Sequence, residues 1–196
     1  MSARKIIVSV LLAILLLNVA CGTSLAPVQP PNLDNVTDAL GYCLAPTRMP
    51  EDFVFDQYDV SEIGTDSIAR IMYERLHNHV HQYIFIMYPL SLPSSSGDNP
   101  LLEGLGSEWE RPDDAVLEVT VNGEKAYLVH GNWSAGSLKT LENPEWDYDI
   151  YLSLYFDYRL PSGETAEVMI RAMLNPSEWI TTTELVKTAE SMQLIN

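Results

Sequence analysis

The chain has 196 residues, 27 of them acidic and 11 basic, for a formal net charge of -16. That length suits one domain of ordinary size, and the charge repels nucleic acid and anionic headgroups. No stretch forms a basic stripe, which excludes DNA or RNA as a partner. The acids are scattered, as Glu51, Asp52, Asp56 and Asp59, then Asp113 and Asp114, then Asp147 and Asp149. None sits in the alternating acid–glycine loop of a calcium hand, so they read as a solvated exterior.

The N-terminus is organised as a leader. Arg4 and Lys5 precede an aliphatic run over residues 6–17 broken only by Ser9, and Leu17-Asn18-Val19-Ala20-Cys21 closes it. From Ile6 to Ala20 the stretch is 15 residues with a polar Asn18, short of the roughly 20 that a spanning helix needs. The ending resembles the lipobox of bacterial lipoproteins, with Gly22 an ordinary successor and Asn18 where that motif usually has leucine. The resemblance implies that residues 1–20 are a signal peptide and that Cys21 carries a palmitate-type diacylglycerol. It also implies a place on the cell membrane, facing outside the cytoplasm. A plain secretory signal and an uncleaved anchor are the other readings. Two acyl chains are what stable anchoring takes. Loss of Arg4 and Lys5 would leave the mature chain at -18. Cys43 then lacks an intramolecular partner and reads as a small buried hydrophobe. Residues 21–40 hold Pro27, Pro30 and Pro31 among small and polar residues. They are expected to form an extended, lipid-anchored spacer, with a single folded domain over 41–196.

Within that domain the pattern is of hairpins. Phe53, Phe55 and Tyr58 mark a short strand after Pro50; residues 68–74 and 80–88 are β-rich runs joined through Leu76-His77-Asn78-His79. A loop rich in serine, glycine and proline follows over 91–112, long enough to carry function. Residues 116–121 alternate, and Asn122-Gly123 comes at once; both residues accept the positive φ of a tight hairpin turn. Residues 124–130 form the return strand. Residues 149–160 and 164–174 make a further hairpin across Pro161-Ser162-Gly163, and Pro176 ends it. Thr181-Thr182-Thr183-Glu184 has capping-box spacing. After it Leu185, Val186, Ala189 and Met192 share one helical face, with Lys187, Glu190 and Gln193 opposite. The expected fold is α+β, an antiparallel sheet built from hairpins with a C-terminal helix packed on it.

Three pieces of sequence resemble the DUF4367 domain, a module of exported and membrane-anchored bacterial proteins. They are Ala45-Pro46-Thr47-Arg48-Met49-Pro50, Val121-Asn122-Gly123-Glu124-Lys125-Ala126-Tyr127 and Leu185-Val186-Lys187-Thr188-Ala189-Glu190-Ser191-Met192. The resemblance spans residues 44–194 and implies a helical tail after a strand pair like 154–170; the insertion at 94–98 departs from it. That family has no agreed catalytic residues, so a fold and a location are implied, and no site.

Chemistry is hinted at by His77-Asn78-His79-Val80-His81. On a continuous strand, residues two apart share a face, so His77, His79 and His81 would offer three imidazoles to zinc or copper beside Glu74. A hairpin turn there would scatter the rings. The acids and aromatics of 142–149 read as an exposed loop rather than a sugar cleft, and Tyr151, Tyr155 and Tyr158 as packing on a sheet face. Nucleophile-elbow, phosphate-loop and His-Glu-x-x-His templates are missing, and no cofactor is called for. The expected role is a non-enzymatic binding or sensor module at the cell envelope, held to the membrane through Cys21 and taking a protein, peptide or lipid ligand. One version is a lipid chain held between sheet and helix. The alternative is a metal-binding protein or metal-dependent hydrolase built on the three histidines.

Overall fold

Strict alternation organises the chain. In a computed structural model, which describes residues 25–29, 31–63, 66–90, 112–133, 145–173, 175 and 179–195, the strands pair antiparallel throughout. Seven of them form one sheet in the order β4-β5-β6-β10-β9-β8-β7. These are β4 (Val54–Ile63), β5 (Asp66–His77), β6 (Val80–Tyr88), β7 (Val116–Val121), β8 (Glu124–Trp133), β9 (Trp146–Arg159) and β10 (Thr165–Met173). Ile170 of β10 lies opposite Ile86 on one side and Leu154 on the other. Successive side chains of a strand point to opposite faces. That row and its neighbours (Ile71, Tyr73, Ile84, Leu128, Val168) therefore make one closed apolar face, and all are buried.

The turns obey the same chemistry. Asn122 (φ 51) and Gly123 (φ 85) join β7 to β8, and Asn78 (φ 51) with His79 (φ 65) join β5 to β6. Two positive φ values in a two-residue loop match the right-handed twist of the strands they connect. Between β8 and β9 the register shifts at Gly131, whose φ is 93. A Cβ there would lie 2.6 Å from the Asp147 carbonyl oxygen, so only glycine fits.

The closed face is roofed by the rest of the chain. Helix α1 (Asp34–Leu40) packs over β4 and β5, and α2 (Thr182–Glu190) contacts β7. The expected capping box is present: Thr181 Oγ1 accepts from the Glu184 amide, and the Thr181 amide donates to Glu184 Oε2. Leu185, Thr188 and Ala189 form the buried stripe, while Val186 is half-buried. Met192 is buried too, but on a strand, β11 (Met192–Leu194), which pairs with β2 (Leu44–Pro46). Tyr88 reaches up from the sheet to this ladder, and its hydroxyl accepts the Leu44 amide at 2.8 Å and lies 3.5 Å from Cys43 Sγ. Cys43 is buried, as expected of a small hydrophobe, and burial pushes its thiol pKa up.

The fold is mostly β, with few helices, rather than a balanced α+β. Five small elements were not foreseen, because three-residue strands and a seven-residue helix carry too little periodicity to register. The expected spacer over 21–40 is corrected from Leu25 onward. Strand β1 (Leu25–Pro27) pairs with β3 (Arg48–Pro50), and Val28 donates to the Thr47 carbonyl. In and before α1, Leu33 and Val36 are buried in the main core. The prolines fit because short, marginal strands tolerate a missing amide. Several strands run longer than expected, as does β4, which continues well beyond Tyr58, while β6 and β7 keep their expected bounds.

A chain starting at Gly41 should be clearly less stable to urea than one starting at Leu25. Two buried aliphatic side chains are lost, each contributing about 1.5–3 kcal/mol, so the difference should be on the order of 3–6 kcal/mol. Equal unfolding midpoints would restore the unpacked spacer.

Candidate functional site

The other face of the sheet carries the residues between the core positions. Arg171 sits in its middle, between Phe85 of β6 and Ser153 of β9 in register. Its guanidinium donates to Ser153 Oγ at 2.9 Å and to the Tyr155 hydroxyl at 3.0 Å, and lies 5.0 Å over the Tyr151 ring. No carboxylate forms an ion pair with it among the described residues. Beside it Met87, Met169, Tyr155 and Tyr127 follow one another across four strands. Val129, Tyr155 and Met169 form a second small core against which Met87, Leu90, Val116 and Trp146 pack. Phe85, Tyr83 and Met72 are half-buried, and the Tyr83 ring is flanked by His81 and Phe85. Thioethers and aromatic rings adapt to varied apolar partners, and a guanidinium among them supplies a directional donor.

Glu167 lies on this face opposite Asp157. Its Oε2 is buried and has no hydrogen-bond partner among the described residues. Burial raises its pKa above the usual carboxylate range, with the like charge of Asp157 adding to the effect. Tyr155 and Tyr151 pack on the sheet, as expected, but bind Arg171 as well. Tyr158 falls on the opposite face, against the main core. The sequence named these tyrosines and missed Arg171, whose only signal is a cation inside the otherwise apolar run over 168–173.

The three histidines are not brought together. His77 ends β5, His79 occupies the turn and His81 is the second residue of β6, so the continuous strand needed to align them does not form. His81 Nδ1 is 3.2 Å from Glu74 Oε2 and the ring stacks on Tyr83. No group of three metal-ligating side chains occurs among the described residues. His130 meets Tyr148 edge to face. In 145–149 the acids serve the fold: the Tyr148 hydroxyl donates to Asp114, and Asp147 accepts the Asp149 amide. Between sheet and helix, where a lipid chain was expected, Leu44, Met49, Ile180, Leu185 and Ala189 are all buried.

Clefts on the described surface are small and mixed in polarity. One of about 430 Å³ is lined by Leu25, Thr47, Arg48, Lys187, Glu190 and Ser191. Another of about 460 Å³ lies at the end of β9, with Lys125, Asp157, Arg159 and Thr165. Cys21, the aliphatic leader and the loop at 91–111 lie outside the described residues. Among the described residues no helix is long and apolar enough to cross a membrane. No family model, curated protein or solved structure matches the chain.

Glu167→Gln should stabilise the fold at neutral pH. A carboxyl whose pKa is raised on folding favours the folded state when protonated and opposes it once ionised, so the penalty grows as pH rises above the unfolded value near 4.5. The urea midpoints of the two proteins should converge as pH falls to 4 and separate toward pH 7. A gap independent of pH would assign the effect to packing instead.

Proposed function

We propose that this protein is a lipid-anchored, non-enzymatic binding or sensor module of the bacterial cell envelope, resembling the DUF4367 domains of exported proteins. Cys21 carries the lipid, and the domain faces outside the cytoplasm. The open face of the sheet receives a protein or peptide partner. The observation that carries the binding assignment is the asymmetry of the sheet. One face is sealed by α1, α2 and the short ladders; the other is buried at Val129, Ser153, Tyr155 and Met169 but leaves Phe85, Tyr83, Met72 and Met87 half-exposed beside Arg171.

A partner that suits this face has an apolar strip and an acceptor or anionic group for the guanidinium. Aromatic and arginine side chains of this kind supply much of the energy at protein interfaces. The acidic exterior helps to keep other copies of the chain away. Support for the anchor comes from the leader, with its basic start, its aliphatic run and the small residues before Cys21.

Two measurements test the reading separately. Cys21→Ser should move the protein from the membrane to the soluble fraction and remove a diacylglycerol mass from the mature chain; unchanged fractionation would refute the anchor. A photo-crosslinking residue at position 85 should trap a partner on intact cells, with Arg171→Glu reducing the yield about tenfold or more, the scale of an interfacial hot spot. Equal yields from position 85 and from a control at Ser162 would remove the open face as the binding surface.

A further inference from the structure

Among the described residues four large apolar side chains are strongly exposed, and three of them gather at one end of the sheet. Leu76 (62 %) and Val80 (52 %) flank the β5–β6 turn, and Val54 (59 %) begins the neighbouring strand opposite Glu74. The turn itself carries no acid, although Glu74, Glu51 and Asp52 lie at the same end. From Arg75 to Gln82 there are one arginine, three histidines and no acid.

The N-terminus leaves the fold at the same end. Strand β4 starts beside the tip, because Val54 pairs with Glu74 while Ile63 pairs with Asp66. The link Glu51 to Phe53 that leads into β4 is therefore also at the tip end. Arg75 fixes it there: its Nη1 donates to the Glu51 carbonyl at 3.1 Å, and its guanidinium lies over the Phe53 and Trp179 rings. Strand β3 runs toward that link. Antiparallel β1 places Leu25 opposite Pro50, so Leu25, the first described residue, lies at that end too.

Only Gly22, Thr23 and Ser24 separate Cys21 from Leu25. Four residue steps reach at most about 14 Å, no more than the radius of gyration of roughly 15 Å for a domain of this size. A lipid on Cys21 therefore cannot let the domain present any surface it chooses. We infer that the β5–β6 tip, through Leu76 and Val80 with Val54 beside them, rests in the headgroup region of the same bilayer that holds the anchor. This rests on the lipidation of Cys21 proposed above. The resulting pose sends the β7–β8 and β9–β10 turns away from the membrane and leaves the open sheet face standing roughly upright, accessible from the side.

The test uses the full lipid-carrying chain in phosphatidylcholine vesicles containing nitroxide-labelled lipid. An environment-sensitive fluorophore is placed singly at Leu76→Cys, Val80→Cys or Ser162→Cys. The last is an exposed position in the β9–β10 turn at the far end, and all three are made in a Cys43→Ala background. Intact mass comes first: a chain without acyl groups overturns the anchor and this inference together. On acylated protein, several-fold stronger quenching at 76 and 80 than at 162 is the expected result. Equal quenching at all three positions overturns the pose and leaves the anchor standing.

Discussion

The register of β10 between β6 and β9 is the constraint on which everything else depends. With Ile170 opposite both Ile86 and Leu154, Arg171 must point to the other face, where Ser153, Tyr155 and Tyr151 receive it. A slip of one residue would exchange the two, putting a guanidinium into the core and an isoleucine on the open surface. The cost of an unpaired buried charge far exceeds that of a misplaced aliphatic group. Arg171 thus helps to enforce the same register that places it beside Ser153, Tyr155 and Tyr151.

Much of the sheet was legible because its strands are long and alternate. The turn and first strand of the β7–β8 hairpin could be read to the residue from its pattern and Asn-Gly turn, though β8 runs three residues further, and Val80–Tyr88 was legible to the residue as well. The helix start was legible because Thr181 and Glu184 are chemically specific partners at a fixed spacing. What could not be read was whatever depends on contacts remote in sequence. Leu25, Val36 and Leu44 sit in stretches that look like linker, and only packing against Tyr88, β5 and α2 orders them. The half-exposed face around Arg171 was hidden for a related reason. Alternation tells which residues share a face, but not which face the helices will cover.

The two halves of the histidine motif show how local geometry decides chemistry. The same three side chains would be a ligand row on a strand. Asn78 and His79 accept positive φ, the turn closes, and the residues become the apex of a hairpin instead. Their company at that apex is Leu76 and Val80 rather than further ligands. The roof of the main core is likewise lined by aliphatic side chains from α1, α2 and the short ladders, which bury one another.

The inclusion of Leu25–Pro27 in the fold also has a mechanical side. In the proposed anchored form, any tension between the bilayer and a bound partner enters the domain at β1. That strand is held to β3 through three register pairs, whereas β9 and β10 share nine. Under load the short ladder peels first, and α1, pinned by Val36, arrests the unravelling. The eight or so residues released would lengthen the leash by about 27 Å at full extension while the large sheet stays whole. The first strand would then act as a mechanical fuse, giving way under strain and re-forming when it is relieved.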